Sequence, residues 1–231
     1  MHSNRYTFLY AIGFTAIVAL VLAVAATSLY PRQKINIDQA KRKAILQSVM
    51  DLNEETLEAD YNNYITEVVV NAEGEEVTTV RAFDVDVLKE SKKEAADRLL
   101  PIFIYKDDSR TNYIIPMQGN GLWNAISAFL ALEKDATTIY GVVFDHVAET
   151  PGLGAEITTD RFQDQYKGKK IYDGGGSFAT ISVLKGSGND VTSEPHIVDG
   201  ISGATMTTNG VTEMFEKELQ NYSSYFKKIK S

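Results

Sequence analysis

The chain begins with an apolar run and then changes to a mixed pattern. No charged residue lies between Arg5 and Arg32. The stretch "TFLYAIGFTAIVALVLAVAATSLY", Thr7 to Tyr30, is long enough to cross a hydrocarbon core of ~30 Å at ~1.5 Å per helical residue. Tyr6, Tyr10 and Tyr30 sit near its ends, where aromatic rings favour a membrane interface. A cleaved signal peptide is the competing reading, because "AVA" at 23–25 offers a small-x-small site. However, the run exceeds the ~7–15 residues of a usual signal core, and Arg5 is the only basic residue before it. The pattern predicts a retained single-span anchor. Arg32, Lys34, Lys41, Arg42 and Lys43 follow the span. By the positive-inside tendency alone, they would keep the following domain in the cytoplasm.

Beyond the span, Ala40, Ala44, Val49 and Leu52 form a loose apolar face. They predict a helix from Asp38 to about Asp60. "YITEVVV" and "VTTVRAFDV" predict strands of a hairpin joined by "NAEGEE". "DVLKESKKEAADRLL" predicts an exposed helix, and "PIFIYKDD" with "TNYIIPMQG" a further strand pair. "GLWNAISAFLAL" predicts a helix after a glycine turn, "TIYGVVFDHVAE" a strand, "GAEITTDRFQDQY" a short helix and "SFATISVLKG" a strand. From Asn209, residues Val211, Met214, Phe215, Leu219, Tyr222 and Phe226 recur three or four apart and predict a final helix. Helices and strands alternate irregularly, with hairpins, which predicts one α+β domain behind the anchor. The expected division is 1–31 for the anchor and 32–231 for the domain.

Composition narrows the chemistry. The 231 residues carry a formal charge of −8, which argues against nucleic acid as a partner. The absence of cysteine excludes thiolate zinc sites, iron–sulfur clusters, disulfides and cysteine nucleophiles. The histidines are His2, His146 and His196, and no H-E-x-x-H or comparable ligand spacing occurs. No metal site and no catalytic side chain are expected.

"DGISGATMTT", residues 199–208, gathers Ser202, Thr205, Thr207 and Thr208 around Gly203 and Ala204. One reading is a helix cap, in which Thr207, Thr208 or Asn209 accepts from free backbone N–H groups. The other is a phosphate seat. The apolar lead "HIV", a turn of small residues and a following helix place an N-terminus where N–H groups and the axial dipole favour an anion. A surplus hydroxyl there is available for esterification.

"DGISGATMTTNGV" resembles the flavinylation motif of the NqrC family, a component of the Na⁺-translocating NADH:quinone oxidoreductases. "ETPGLGAEI" (149–157) and "GNGLW" (119–123) resemble two further signatures of that family, in the same order. The motifs fall between about 115 and 215, while the region from about 36 to 100 carries none. The resemblance implies FMN bound through a phosphoester to Thr205, with Asp199, Gly200, Ser202, Gly203 and Ala204 around it. A separate flavin transferase using FAD would make the bond. Pro151, Gly152 and Gly154 form a turn that a flat ring can approach, beside Glu149, Thr150 and Leu153. Leu122 and Trp123, the only tryptophan, are expected near the ring. Lys185 would either balance the phosphate or remain a solvated loop residue. The implied role is an electron-relay subunit among the other membrane subunits of the complex. The implied location is the bacterial cytoplasmic membrane, with the domain on the extracytoplasmic side, against the local count of basic residues. The homologous G component of the Rnf complex, a ferredoxin:NAD⁺ oxidoreductase, resembles the chain in its anchor, "ETPGLG" and threonine, and is the alternative. A membrane-anchored binding module without cofactor is the second.

Overall fold

The structure, a computed structural model, describes residues 4–230. His2 lies outside the described residues. The chain divides into compact units at residues 1–42 and 43–231. Helix α1 (Asn4–Gln47) takes in the whole apolar run, ends within the second unit and is long and apolar enough to cross a membrane. Phe8, Leu9, Ile17 and Leu22 are among its many exposed apolar side chains, a surface suited to hydrocarbon rather than water.

The helix expected from Asp38 is not a separate element, because α1 continues through Asp38 to Gln47. The turn after it is held from the loop between Lys106 and Thr111. Arg110 donates to the carbonyl of Val49 at 2.6 Å, with its guanidinium over the rings of Tyr105 and Tyr140 at 5.3 and 4.6 Å. A second helix, α2 (Leu57–Tyr64), leads into β1 (Ile65–Val70). "VTTVRAFDV" does not form the second strand of a hairpin. Only Glu76 bridges to Val70, and Ala82–Asp84 is a 3-10 turn. Glu67 dictates that course by accepting from Arg81 at 2.8 Å and from the N–H of Phe83 at 3.0 Å. The long exposed helix expected at 86–100 is also shorter than its pattern. Helix α3 (Val87–Glu90) ends early, and Arg98 turns back to the carbonyls of Ser91 and Lys93.

Strands β2 (Leu100–Lys106), β3 (Thr111–Asn120), β4 (Ala125–Leu132) and β5 (Ile139–His146) join β1 in one antiparallel sheet of order β1-β2-β3-β4-β5. Helix α4 (Asp160–Gln163) lies between two 3-10 turns, as the short-helix pattern predicts. Strands β6 (Ser182–Val183) and β7 (Ile197–Val198) form a small parallel pair. "SFATISVLKG" therefore contributes only two strand residues. Helices α5 (Thr205–Asn221) and α6 (Ser223–Lys230) close the chain; the single final helix expected through Phe226 is broken at Tyr222, which is buried and donates its hydroxyl to the carbonyl of Pro101 at 3.1 Å.

The sheet is covered on both faces. Ile102, Ile115, Met117, Ile126 and Leu130 pack with Val211, Phe215, Leu219 and Phe226 on one side. Val69, Phe103, Ile114 and Ala131 pack with Ile45, Leu46, Tyr61 and Phe83 on the other. Residues 121–132 show what this does to a sequence pattern. They form a turn and strand β4 rather than the predicted helix. Ile126, Ala128 and Leu130 face one core while Ala131 faces the other, so the usual apolar–polar alternation of a strand disappears.

Candidate cofactor site

Helix α5 starts at Thr205, four residues earlier than its periodic apolar positions predict. Gly203 lies at φ +78°, and Ala204 is the N-cap without any side-chain hydrogen bond to the helix. The threonines expected as caps do other work. Thr208 donates to the carbonyls of Ala204 (3.3 Å) and Thr205 (3.1 Å). Buried Thr207 donates to Oε2 of Glu149 at 2.6 Å. The cap reading therefore fails for both. The helix has no hydroxyl over its first N–H groups, which stay available to an anion. Among the described residues, no protein group hydrogen-bonds the hydroxyl of Thr205 or of Ser202, and Ser202 is exposed.

Glu149 organises the opposite wall. It accepts from the N–H of Trp123 at 2.9 Å. Burial pushes its carboxyl up, but the Thr207 hydroxyl and the N–H groups of Trp123, Leu122 and Asn124 outweigh this and hold it below its ordinary value. The indole of Trp123 donates to Oγ1 of Thr150 at 3.2 Å, joining the 121–124 turn to the 149–154 turn. Leu122, Trp123 and Leu153 remain 51%, 67% and 40% exposed, unusual for such side chains. Leu153 lies over Gly203, where an added Cβ would sit 2.8 Å from its Cδ2. Gly152 has φ +75° and open space around it.

Asp199 faces the protein. Its carboxylate accepts from the N–H groups of Gly188 (2.6 Å), Asn189 (3.2 Å) and Gly200 (2.9 Å) and from the Asn189 side chain (2.7 Å). Burial raises the Asp199 carboxyl, and these bonds bring it below its usual value. Gln165 brackets the same residue, accepting from its N–H at 2.7 Å and donating to its carbonyl at 3.4 Å. Gly200 leaves no room for a Cβ against the carbonyl of Leu184. Lys185 lies on the loop that Asp199 holds. It is exposed, and its ammonium meets no acceptor among the described residues. A cleft of about 430 Å³ borders this turn, lined by Gly152, Glu156, Arg161, Gln165, Asp199 and Ser202 among others. A larger cleft of about 900 Å³, beside Val49, Arg110 and Tyr140, holds none of the expected site residues.

The fold thus gathers all the expected segments at the start of α5, while Lys185 comes only as close as its loop. Three contributors escape a reading of the sequence. Thr207 has the composition of a cap, Gln165 carries no signal, and Gly121 is one small residue inside a motif. A Cβ on Gly121 would lie 2.5 Å from Oε1 of Glu149, so the glycine of "GNGLW" admits the carboxylate.

A family model described as an FMN-binding domain matches residues 121–220, which include this site. The C component of the Na(+)-translocating NADH-quinone reductase of Haemophilus ducreyi is 33% identical over 218 residues, covering 87% of this chain and 83% of its own. The same component from Vibrio alginolyticus is 33% identical over 223 residues, covering 89% and 86%. The crystal structure of the corresponding Parabacteroides distasonis protein superposes with a TM-score of 0.76 at 37% identity, covering 86% of this chain and 96% of that one. Shewanella oneidensis NqrC gives 0.70 at 26%, covering 84% and 97%. These likenesses decide for NqrC over its Rnf counterpart, and for an FMN-binding domain over a module without cofactor. The chain belongs to the NqrC family, the C component of the Na⁺-translocating NADH-quinone reductase, an oxidoreductase complex.

Proposed function

We propose that this chain carries FMN through a phosphoester to Oγ1 of Thr205 and relays electrons between redox centres of the complex. The observation that carries the reading is the state of the hydroxyls at the start of α5. Thr207 and Thr208 are spent on protein acceptors, while Thr205 opens an uncapped helix with its hydroxyl free. The residues fit the group. Uncapped N–H groups suit its phosphate, and exposed Leu122, Trp123 and Leu153 offer apolar surface to a flat ring. Gly152 keeps the approach open from its turn, and Gly203 admits Leu153 close against the turn before α5. Lys185 is available to balance the phosphate charge.

FMN, when bound, supplies one- and two-electron redox chemistry. The chain's own residues hold it. Glu149 and Thr150 fix Trp123, Asp199 fixes the turn before Ser202, and no side-chain acid or base is required. Attachment would be the work of a separate flavin transferase. Thr205 Oγ1 would lose its proton and take over the FMN phosphoryl group of FAD, with AMP leaving. Residues 1–31 would anchor the chain in the bacterial cytoplasmic membrane, among the other subunits. Residues 32–231 would lie on the extracytoplasmic side, where a covalent bond prevents loss of the cofactor.

The test is flavin fluorescence of the denatured chain from cells that hold the transferase. A fluorescent band is expected. A colourless, non-fluorescent band would remove the covalent cofactor from this reading.

A further inference from the structure

Glu149 presents a physical puzzle. Glu149 is 5% exposed, and among the described residues it forms no ion pair. A buried charge without a cation costs several kcal/mol unless hydrogen bonds replace its hydration. The surrounding chain is nonetheless shaped to admit it. A Cβ on Gly121 would crowd Oε1, and one on Gly154 would run into Oε2 and into Oγ1 of Thr207.

The donors come from separate parts of the fold. The N–H of Trp123 binds Oε1 at 2.9 Å, and the Thr207 hydroxyl binds Oε2 at 2.6 Å. The N–H of Glu149 itself reaches Nδ1 of His146 at 3.2 Å, which fixes the start of its own turn. Each segment meeting at this carboxylate brings a residue of the proposed flavin site. The 121–124 turn carries Leu122 and Trp123, the 149–154 turn carries Thr150 and Leu153, and the first turn of α5 carries Thr205.

We infer that Glu149 is a positioning residue: it locks these three segments in one arrangement, and its buried negative charge lowers the reduction potential of the flavin. The second half rests on the reading that FMN is carried at Thr205, whereas the first half does not. Both carboxylate oxygens of Glu149 are engaged by protein donors, so its effect on the cofactor passes through Trp123, Thr207 and the field of its charge. The hydrogen bonds that keep the carboxyl below its ordinary value also keep it ionised at neutral pH. A fixed negative charge in a poorly solvated site opposes the arrival of an electron nearby.

The experiment uses full-length chain in detergent and two variants. Glu149→Gln keeps an acceptor for Trp123 and turns an amide towards the Thr207 hydroxyl, which can accept as well as donate. It removes the charge and reverses the bond to Thr207 while keeping both contacts. Glu149→Ala removes the acceptors. Trp123 is the only tryptophan, so time-resolved anisotropy of its fluorescence reports the 121–124 turn alone. This is read in a Thr205→Val background whose mass shows no flavin. Glu149→Ala is expected to lose residual anisotropy, and Glu149→Gln to match the parent. In the flavin-loaded chain, Glu149→Gln is expected to shift the midpoint potential to more positive values. A folded Glu149→Ala with the parent's anisotropy would overturn the positioning role. An unchanged or more negative potential in Glu149→Gln would overturn the electrostatic one, and that comparison decides alone should Glu149→Ala not fold. If the parent chain bears no FMN on Thr205, the attachment reading fails by itself, and the anisotropy of the flavin-free chain still decides the positioning.

Discussion

The hydroxyl of Thr207 donates a hydrogen bond of 2.6 Å to Glu149, 58 positions away in sequence. Both residues are buried, and the bond ties the first turn of α5 to the turn after β5. A threonine has only middling helix propensity, and this contact holds the threonine-rich first turn of α5 against the rest of the fold. Thr207→Val keeps the shape and removes the donor. Loss of one hydrogen bond to a buried carboxylate should destabilise the domain by about 1–3 kcal/mol. Urea unfolding checks it, and an unchanged midpoint would show that the bond contributes nothing.

Thr205 and Ser202 are the free hydroxyls of the motif, and they are separable by substitution. Thr205→Val should abolish covalent flavin and leave a folded domain, because Thr205 makes no side-chain hydrogen bond to lose. Ser202→Ala should retain the flavin. Comparing flavin fluorescence and thermal unfolding of the two variants decides the matter. Flavin retained in Thr205→Val and lost in Ser202→Ala would move the ester to Ser202.

Gly152 and Gly154 sit two positions apart and should respond differently. Gly152 lies at φ +75° with nothing near an added Cβ. Gly152→Ala should therefore cost only the left-handed strain, about 1–2 kcal/mol. Gly154→Ala would push a methyl against Glu149 and Thr207. It should cost more, about 1–3 kcal/mol of overpacking plus the damaged hydrogen bond. Equal unfolding midpoints for the two variants would show that the turn yields freely.

Glu149 and Asp199 set an acid limit. Both carboxyls lie lower in the folded chain than their ordinary values, despite burial that raises them, because N–H and hydroxyl donors favour the charged form. The unfolded chain therefore binds more protons near pH 4, and stability rises with pH there. Their contribution is complete above the unfolded values, about 4 for both residue types, and drains away as pH falls through the folded values. Glu218 runs the other way. Burial raises its carboxyl, partly offset by Arg98 and Asn221, so its contribution is lost as pH rises above about 4.3. Urea midpoints between pH 7 and pH 3 should fall below about pH 4, and Asp199→Asn should flatten that fall. A slope identical to the parent's would remove Asp199 from the acid limit.

Much of this is legible in the sequence, and the failures share a cause. The apolar run, β2, β3 and β5 carry patterns that their surroundings leave intact, and the last helix keeps its apolar face although it breaks at Tyr222. Strand β4 reads as a helix because both faces of the sheet are covered, which makes "AISAFLAL" apolar throughout. "VTTVRAFDV" has strand composition, but Glu67 bends it away through Arg81 and Phe83. At the site, the motifs locate the turns, yet composition suggests a cap role for Thr207 that its contact denies. Thr207 serves Glu149 and not the helix end, and Asp199 serves the loop at Gly188 and Asn189. Such pairings span many residues and leave no local signature.

The most direct measurement is the intact mass of the chain purified from its native membrane, followed by fragmentation of the peptide that holds residues 199–208. An added FMN less one water, placed on Thr205, is the predicted result. An unmodified chain from cells that possess the transferase, or the adduct on any other residue, would contradict the account.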